Sequence, residues 1–224
     1  MPPDRVATGI DSVDRLLGGG LETDGLTEIY GEGGSGKSLF CLHLASRTAL
    51  RDRWVFYIDT EGVSLDRLEA ISSAPIDRVL RRLLVSRPKN LEEQSAAVTT
   101  ACQLARDRGR SVGMMILDSA TFFYRLALSQ SDEDEARQAL CLELAELLAA
   151  ARDVEIPVVF TNQVWRNLRE GSLEPLGGSF VNHVAKTILR FDRLEGNRRR
   201  IVLVKHRSLP EASAEFRIRP DTLA

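Results

Sequence analysis

Residues 31–38 read Gly31-Glu32-Gly33-Gly34-Ser35-Gly36-Lys37-Ser38, and they match the phosphate-binding loop pattern G-x-x-x-x-G-K-[ST] at every fixed position. In such a loop the glycines let successive backbone N–H groups surround the phosphates. The lysine reaches the β- and γ-phosphates, and the final hydroxyl binds Mg²⁺. The stretch therefore predicts a nucleotide site.

The segments on either side of the loop have the order that this chemistry requires. The apolar, β-prone run 26–30 precedes the loop, and a helical pattern at 39–45 follows it. A strand, a glycine-rich loop and a helix bring backbone N–H groups and the positive end of a helix to the phosphates. A glycine-rich turn without a ligand is the alternative, and the flanking order favours the nucleotide site. We assign the eight loop residues and Leu39 to that site.

Composition indicates an ordinary globular domain. The chain has 224 residues, of which 43% are hydrophobic and 28% charged, and its formal net charge is −2. No apolar stretch approaches the ~18 residues of a membrane helix, and no signal-peptide pattern opens the chain. The three cysteines, Cys41, Cys102 and Cys141, lie too far apart in sequence for a metal-ligand pair. We expect a cytoplasmic protein that does not associate with a membrane.

Strand-like and helix-like segments alternate along most of the chain. This alternation predicts an α/β fold with a mainly parallel sheet that helices cover on both faces. Beyond about residue 185, shorter strand-like runs at 185–191, 200–205 and 214–218 predict an antiparallel C-terminal extension of the sheet. We expect one domain over residues 1–224.

Candidate catalytic residues follow the predicted buried strands. Asp118 ends the run 112–118, and the carboxyl ends of parallel strands share one edge, so we expect it beside Ser38 as the second Mg²⁺ partner. Its alternative role is a cap on the following turn. Asp59 and Glu61 follow another strand, and spacing alone does not decide which of them orients the attacking water. Residues 161–163 end a further strand, where an amide side chain could sense the γ-phosphate.

Several of these motifs together resemble a known family. The successive stretches are 8–11, 16–20, 31–38, Tyr57-Ile58-Asp59-Thr60-Glu61-Gly62 and Thr161-Asn162-Gln163-Val164. In this order they resemble the RecA/RadA recombinase ATPase core across nearly the whole chain. Residues 204–211 and 215–218 are similar to archaeal RadB, the short recombinase paralogue.

The resemblance implies a role for each matching residue. It implies that the loop binds ATP and Mg²⁺ through Lys37 and Ser38, with Asp118 as the second metal partner. Glu61 matches the catalytic carboxylate, and Gln163 the residue that couples the γ-phosphate to DNA. Lys205 and Arg207 match cations that reach a neighbouring subunit's ATP, so hydrolysis by isolated protomers should be slow. The resemblance leaves open whether the chain forms a homo-oligomer.

The resemblance also places two DNA-binding loops, at about 122–132 and 165–177. Trp165, Arg166 and Arg169 could stack on bases and contact phosphates of single-stranded or branched DNA. The alternative is that Trp165 packs against the sheet edge while both arginines are solvated. We interpret Arg198-Arg199-Arg200 as a solvated turn or edge-strand protection rather than a nucleic-acid patch.

Together these features predict an accessory protein of homologous recombination and DNA repair that binds ATP and DNA and hydrolyses ATP weakly. The implied partners are DNA, the main recombinase and Holliday-junction enzymes. Only seven residues precede Thr8, so we expect no N-terminal helix-hairpin-helix domain. A KaiC-like regulatory ATPase or kinase that acts through protein contacts, without DNA, is the alternative.

Overall fold

The computed structural model describes residues 4–128, 133–166 and 173–223. The strands are β1 (Arg5–Val6), β2 (Leu21–Glu22), β3 (Leu26–Tyr30), β4 (Trp54–Asp59), β5 (Leu83–Ser86), β6 (Val112–Asp118), β7 (Val158–Asn162), β8 (Val164–Arg166), β9 (Leu173–Pro175), β10 (Ala185–Arg193), β11 (Arg198–Lys205) and β12 (Ala212–Arg217). The helices are α1 (Asp11–Leu16), α2 (Lys37–Leu50), α3 (Leu65–Ile71), α4 (Ile76–Leu80), α5 (Leu91–Arg108), α6 (Phe122–Leu128), α7 (Glu133–Val154) and α8 (Gly178–Val184).

Eight strands form the central sheet, in the order β12-β11-β10-β3-β7-β6-β4-β5. The strands from β10 to β5 are parallel to their neighbours, whereas β11 and β12 extend the sheet in antiparallel pairing. The predicted α/β architecture with an antiparallel C-terminal extension is therefore confirmed. Two further pairs, β1 with β2 and β8 with β9, form small antiparallel ribbons outside this sheet.

The sheet separates two hydrophobic cores, because successive side chains of a strand point to opposite faces. On one face, residues such as Ile29, Tyr57 and Ile116 pack with α1, α2 and the strand β12. On the other face, Phe56 and Phe160 pack with the long helices α5 and α7. The polar residues at the ends of these strands also alternate between the two faces, so the face on which each side chain lies limits the residues that it can contact.

Among the described residues, no helix is both long and apolar enough to cross a lipid bilayer. The three cysteines are free thiols. His43 is buried on α2, where its Nε2 lies 3.1 Å from the carbonyl oxygen of Thr8. Burial lowers the pKa of His43 to about 4, so this histidine is a neutral core residue.

Candidate functional site

The loop of residues 31–38 connects β3 to α2, as the sequence predicts. Gly31 has φ +152°, and a Cβ atom there would lie 2.3 Å from the carbonyl oxygen of Phe191 on β10. Gly36 begins α2 with φ +100°, in the left-handed region. Glycine is therefore required at both positions, at the first because a neighbouring backbone is close and at the second because of backbone conformation.

Lys37 points back into the loop. Its Nζ donates hydrogen bonds to the carbonyl oxygens of Gly31 at 2.8 Å and Glu32 at 3.2 Å. Burial lowers the pKa of Lys37, and the carboxylates of Glu61 and Asp118 act in the opposite direction. The ammonium group is thus held between the loop and the two acidic residues that the sequence singled out.

Asp118 lies at the end of β6 beside the loop, as predicted. Three hydroxyl groups donate to its carboxylate: Ser38 at 3.2 Å, Tyr57 at 2.7 Å and Thr161 at 2.5 Å. Burial raises the pKa of Asp118, while these three hydrogen bonds oppose the shift. Asp118 is therefore fixed within reach of Ser38 rather than acting as a cap on the next turn.

These residues fit a nucleotide with Mg²⁺. A side chain added at Gly33 or Gly34 would meet no atom within 4 Å, so the loop surrounds open space. Mg²⁺ is usually held by one or two protein oxygens together with phosphates and water. Ser38 and Asp118 supply such oxygens, and the described residues contain no cluster of three or more His, Cys, Asp or Glu side chains that could hold a metal by itself.

The structure separates the roles of Asp59 and Glu61. Asp59 is 2% exposed, and its carboxylate accepts the backbone N–H groups of Gly62 and Val63, both at 2.8 Å, together with Nε of Arg87 at 3.2 Å. Asp59 thus stabilises the turn after β4. Glu61 lines a cavity of about 280 Å³ together with Ser38 and Asp118. This geometry favours Glu61 as the residue that faces the nucleotide.

The amides of residues 162 and 163 are likewise separated. Asn162 is fully buried and donates to Glu28 Oε1 at 2.7 Å and to the carbonyl oxygen of Leu176 at 2.8 Å. Gln163 donates from Nε2 to Glu61 Oε1 at 2.7 Å. Its Oε1 accepts from Nη1 of Arg125 on α6 at 3.1 Å. Only the second amide therefore faces the nucleotide edge.

Lys205 and Arg207 lie away from the loop of their own chain. Lys205 on β11 lies opposite Ile188 on β10, and Ile188 lies opposite Glu28 on β3. The Nζ atom of Lys205 donates hydrogen bonds to the carbonyl oxygens of Asn182 and, at 2.9 Å, Ala185. Arg207 binds the carboxylates of Glu22, at 2.7 Å, and Asp24. Both carboxylates precede β3, whereas the phosphate loop follows it.

The structure describes the candidate DNA-binding residues only in part. Trp165 is on β8 and 47% exposed, so its ring is not packed into the sheet edge. The backbone of Arg166 pairs with Leu173 on β9. Arg169 lies outside the described residues. In the other expected loop, Phe123 and Tyr124 are buried on α6, and residues 129–132 lie outside the described residues.

The interpretation of residues 198–200 as a solvated turn or edge-strand protection is wrong, because these residues begin β11, which lies between β10 and β12 in the sheet. Arg198 pairs with Glu215 at 2.7 Å and Arg200 with Asp192 at 2.8 Å, but Arg199 is only 9% exposed. Its Nη2 donates to the carbonyl oxygen of Gly34 in the phosphate loop at 3.3 Å. Nε of Arg199 is buried and has no hydrogen-bond partner among the described residues.

Sequence reasoning missed the groups that position the site. They are Tyr57 and Thr161, which hold Asp118, Arg125, which holds Gln163, and Arg199. The contacts of Tyr57 and Thr161 with Asp118 could in principle have been predicted, because strand alternation places all three side chains on the same face of the sheet. Nothing in the local pattern distinguishes Arg125 or Arg199 from other arginines.

Comparisons with known proteins identify the family of this chain. The family model described as Rad51 matches residues 4–224. The chain is 40% identical to the DNA repair and recombination protein RadB of Thermoplasma acidophilum, over 97% of this chain and 93% of that protein. It is 37% identical to RadB of Methanococcoides burtonii, over 93% and 92% of the two chains. With RadB of Methanoculleus marisnigri the identity is 38%, over 99% and 98%.

Proposed function

The chain belongs to the Rad51 family, and on that premise we propose that it binds ATP with Mg²⁺ and binds DNA under control of the bound nucleotide, with slow ATP hydrolysis. The observation that carries this proposal is the 2.7 Å hydrogen bond from Gln163 to Glu61. It joins the edge where phosphates would lie to the strand that presents Trp165.

In this proposal each part of the site has one task. Backbone N–H groups of the loop and the ammonium group of Lys37 hold the phosphates. Ser38 and Asp118 hold Mg²⁺, which when bound neutralises charge on the phosphate oxygens. Glu61 orients the attacking water and accepts its proton, because it is the exposed carboxylate of the cavity.

Slow hydrolysis follows from the positions of the cations. Lys205 is held by the carbonyl oxygen of Ala185, which begins β10, and Arg207 by the carboxylate of Glu22, which precedes β3. Both partners lie at the edge of the sheet away from the loop. The two cations can assist only at the nucleotide of a neighbouring subunit. Since a cation inserted into the site contributes about 10³–10⁵ in rate in other NTPases, a protomer without such a neighbour should turn over slowly.

Nucleotide control of DNA binding runs through Gln163. A γ-phosphate near Glu61 competes for the amide, and Gln163 lies two residues before Trp165 on β8. The exposed indole ring of Trp165 can stack on an unpaired base. Movement of Gln163 would therefore change the position of Trp165.

The names of the relatives support a role in DNA repair and recombination, and they do not favour a KaiC-like regulator without DNA. We infer that one domain carries this function, since the sheet takes strands from near the beginning to near the end of the described chain. The main recombinase and Holliday-junction enzymes remain predicted partners.

The test is binding of a fluorescent single-stranded oligonucleotide, measured by anisotropy with and without ATP and Mg²⁺. We expect the affinity for the oligonucleotide to change when ATP is added. The logarithm of the binding constant should fall with the logarithm of the salt concentration with a slope of several units. Lys37→Ala should abolish the ATP effect, whereas Lys89→Ala, which removes an exposed ammonium group elsewhere, should preserve it. Absence of DNA binding at low salt would contradict the proposal.

A further inference from the structure

Arginines gather at the edge of the sheet opposite the nucleotide. Three segments precede the strands β4, β5 and β6: residues 51–53, 77–82 and 106–110. Together these segments contain eight arginines and three aspartates. The three strands are neighbours and parallel, so their preceding segments lie side by side. We call these three segments the arginine edge. Its charge balance is positive in a chain whose formal net charge is −2.

Three of these arginines form a hydrogen bond or an ion pair, and a fourth, Arg108, lies over the ring of Trp54. Arg82 pairs with Asp52 at 2.6 Å, Arg106 with Asp153 at 2.9 Å, and Arg53 donates to the carbonyl oxygen of Val112 at 2.7 Å. The side chains of four others are exposed and make no hydrogen bond or ion pair within the described parts of the chain: Arg51, Arg78, Arg81 and Arg110. These four guanidinium groups are available to a ligand.

The available arginines line two depressions on either side of the turn at 51–53. One, of about 450 Å³, includes Arg51 and Arg110, and the other, of about 370 Å³, includes Arg78 and Arg81. The arginine edge spans three adjacent strands, about 10 Å at the usual strand spacing. Duplex DNA carries one negative charge per about 1.7 Å of helix axis, so a duplex lying across this edge would present several phosphates to it.

The surface suits phosphates rather than bases. Its aromatic residue is Trp54, and the guanidinium carbons of Arg108 and Arg82 lie 4.3 Å and 5.0 Å from the centroid of its ring. These two cations occupy positions over the ring that a stacked base would need. The planar guanidinium group of arginine can donate two parallel N–H hydrogen bonds to phosphate oxygens, and such contacts do not depend on base sequence.

We propose that the arginine edge binds the phosphate backbone of a nucleic-acid duplex, as a second DNA surface opposite the one near Trp165. Strand β6 has 7 residues, so the two edges of the sheet are about 20 Å apart. A molecule with both surfaces occupied would hold two DNA segments together. The two surfaces are independent, and either can exist without the other.

The experiment compares double variants of equal charge. Arg51→Gln with Arg110→Gln, and Arg78→Gln with Arg81→Gln, remove two available guanidinium groups each. Arg15→Gln with Arg217→Gln removes two exposed arginines elsewhere and is the matched control. Affinity for a fluorescent 20-base-pair duplex is measured without nucleotide between 50 and 200 mM salt. A second assay measures capture of labelled duplex by protein bound to immobilised single-stranded DNA.

Each arginine-edge variant should bind the duplex at least fivefold more weakly than the control variant, with a salt slope lower by about one to two units. Capture of the second DNA should be lost while single-stranded binding remains. Trp165→Ala should weaken binding of single-stranded DNA and leave the affinity for the duplex at the level of the control variant, which separates failure of this proposal from failure of the proposed function. Equal behaviour of edge and control variants would overturn the proposal. So would displacement of the duplex by poly-L-glutamate at equal charge.

Discussion

Gln163 Nε2 donates a 2.7 Å hydrogen bond to Glu61 Oε1, which joins two residues that are 102 positions apart in the chain. Each follows a different parallel strand, β7 and β4, and β6 with Asp118 lies between these two strands. The amide oxygen of Gln163 is itself held by Arg125 on α6. Gln163 therefore connects Glu61 with α6 and with β8, which belong to the two segments that the family resemblance associates with DNA.

Replacing Gln163 with alanine should uncouple DNA binding from ATP. Without the amide, Glu61 loses its contact and β8 no longer responds to the γ-phosphate. We expect ATP affinity to stay within about twofold, and the ratio of DNA affinities with and without ATP to approach one, as measured by anisotropy. Gln138→Ala, on the exposed face of α7, is the control that should keep the wild-type ratio. An unchanged ratio in Gln163→Ala would exclude this route.

Asp59 and Glu61 should give opposite phenotypes when each becomes an amide. Glu61→Gln should lower ATP hydrolysis about 10²-fold or more, because it removes the base, and it should leave stability unchanged. Asp59→Asn removes a buried carboxylate that accepts two backbone N–H groups, so it should lower the free energy of unfolding by about 1–3 kcal/mol. Urea denaturation and a phosphate-release assay measure the two effects. Interchanged results would reassign the catalytic carboxylate.

Arg199 should support the phosphate loop. Its guanidinium group joins the carbonyl oxygen of Gly34 to those of Gly196, at 3.3 Å, and Arg198, at 2.8 Å, in the β10–β11 connection. We expect Arg199→Ala to weaken ATP binding about three- to tenfold and to speed hydrogen exchange at the loop amides. Arg199→Lys should retain part of the effect, which separates the role of the charge from global unfolding. The neighbouring Arg198→Ala is the control, since that side chain is exposed and paired with Glu215.

Glu28 should make stability depend on pH. Burial raises the pKa of this carboxyl from its ordinary value of 4.5 to about 7, while Asn162 and Lys205 oppose the shift. The folded protein therefore binds this proton more tightly than the unfolded chain. The contribution of Glu28 to stability is present below about pH 4.5 and is lost as pH rises through about 7.

Glu28→Gln removes the ionisation but keeps an acceptor for Asn162. Relative to the unsubstituted protein, its free energy of unfolding should be similar at pH 4.5 and higher by at most ~3 kcal/mol at pH 8. Urea denaturation at pH 4.5, 6 and 8 measures the difference, in which other titrating groups cancel. Exposed Glu69→Gln should show no such trend. A difference that is independent of pH would contradict the prediction.

Local sequence patterns were enough to predict the nucleotide loop and the order of the strands and helices around it. These features depend on local spacing: eight consecutive residues, a preceding apolar strand and the alternation of strand-like and helix-like segments. Asp118 could also be placed beside Ser38, because the ends of parallel strands share an edge. The resemblance identified Glu61 and Gln163, although spacing left Asp59 and Asn162 as alternatives.

The choice between those alternatives required the folded structure, because it depends on which sheet face and which neighbouring strand each side chain meets. Asn162 points to Glu28, and Asp59 binds its own turn, so neither faces the nucleotide. The contact from Arg199 to Gly34 spans 165 positions, and the arginine edge is assembled from three separate connections. Both arise from the pairing of strands that are distant in the chain. A local pattern carries no information on such pairing, so these features became visible only in the folded protein.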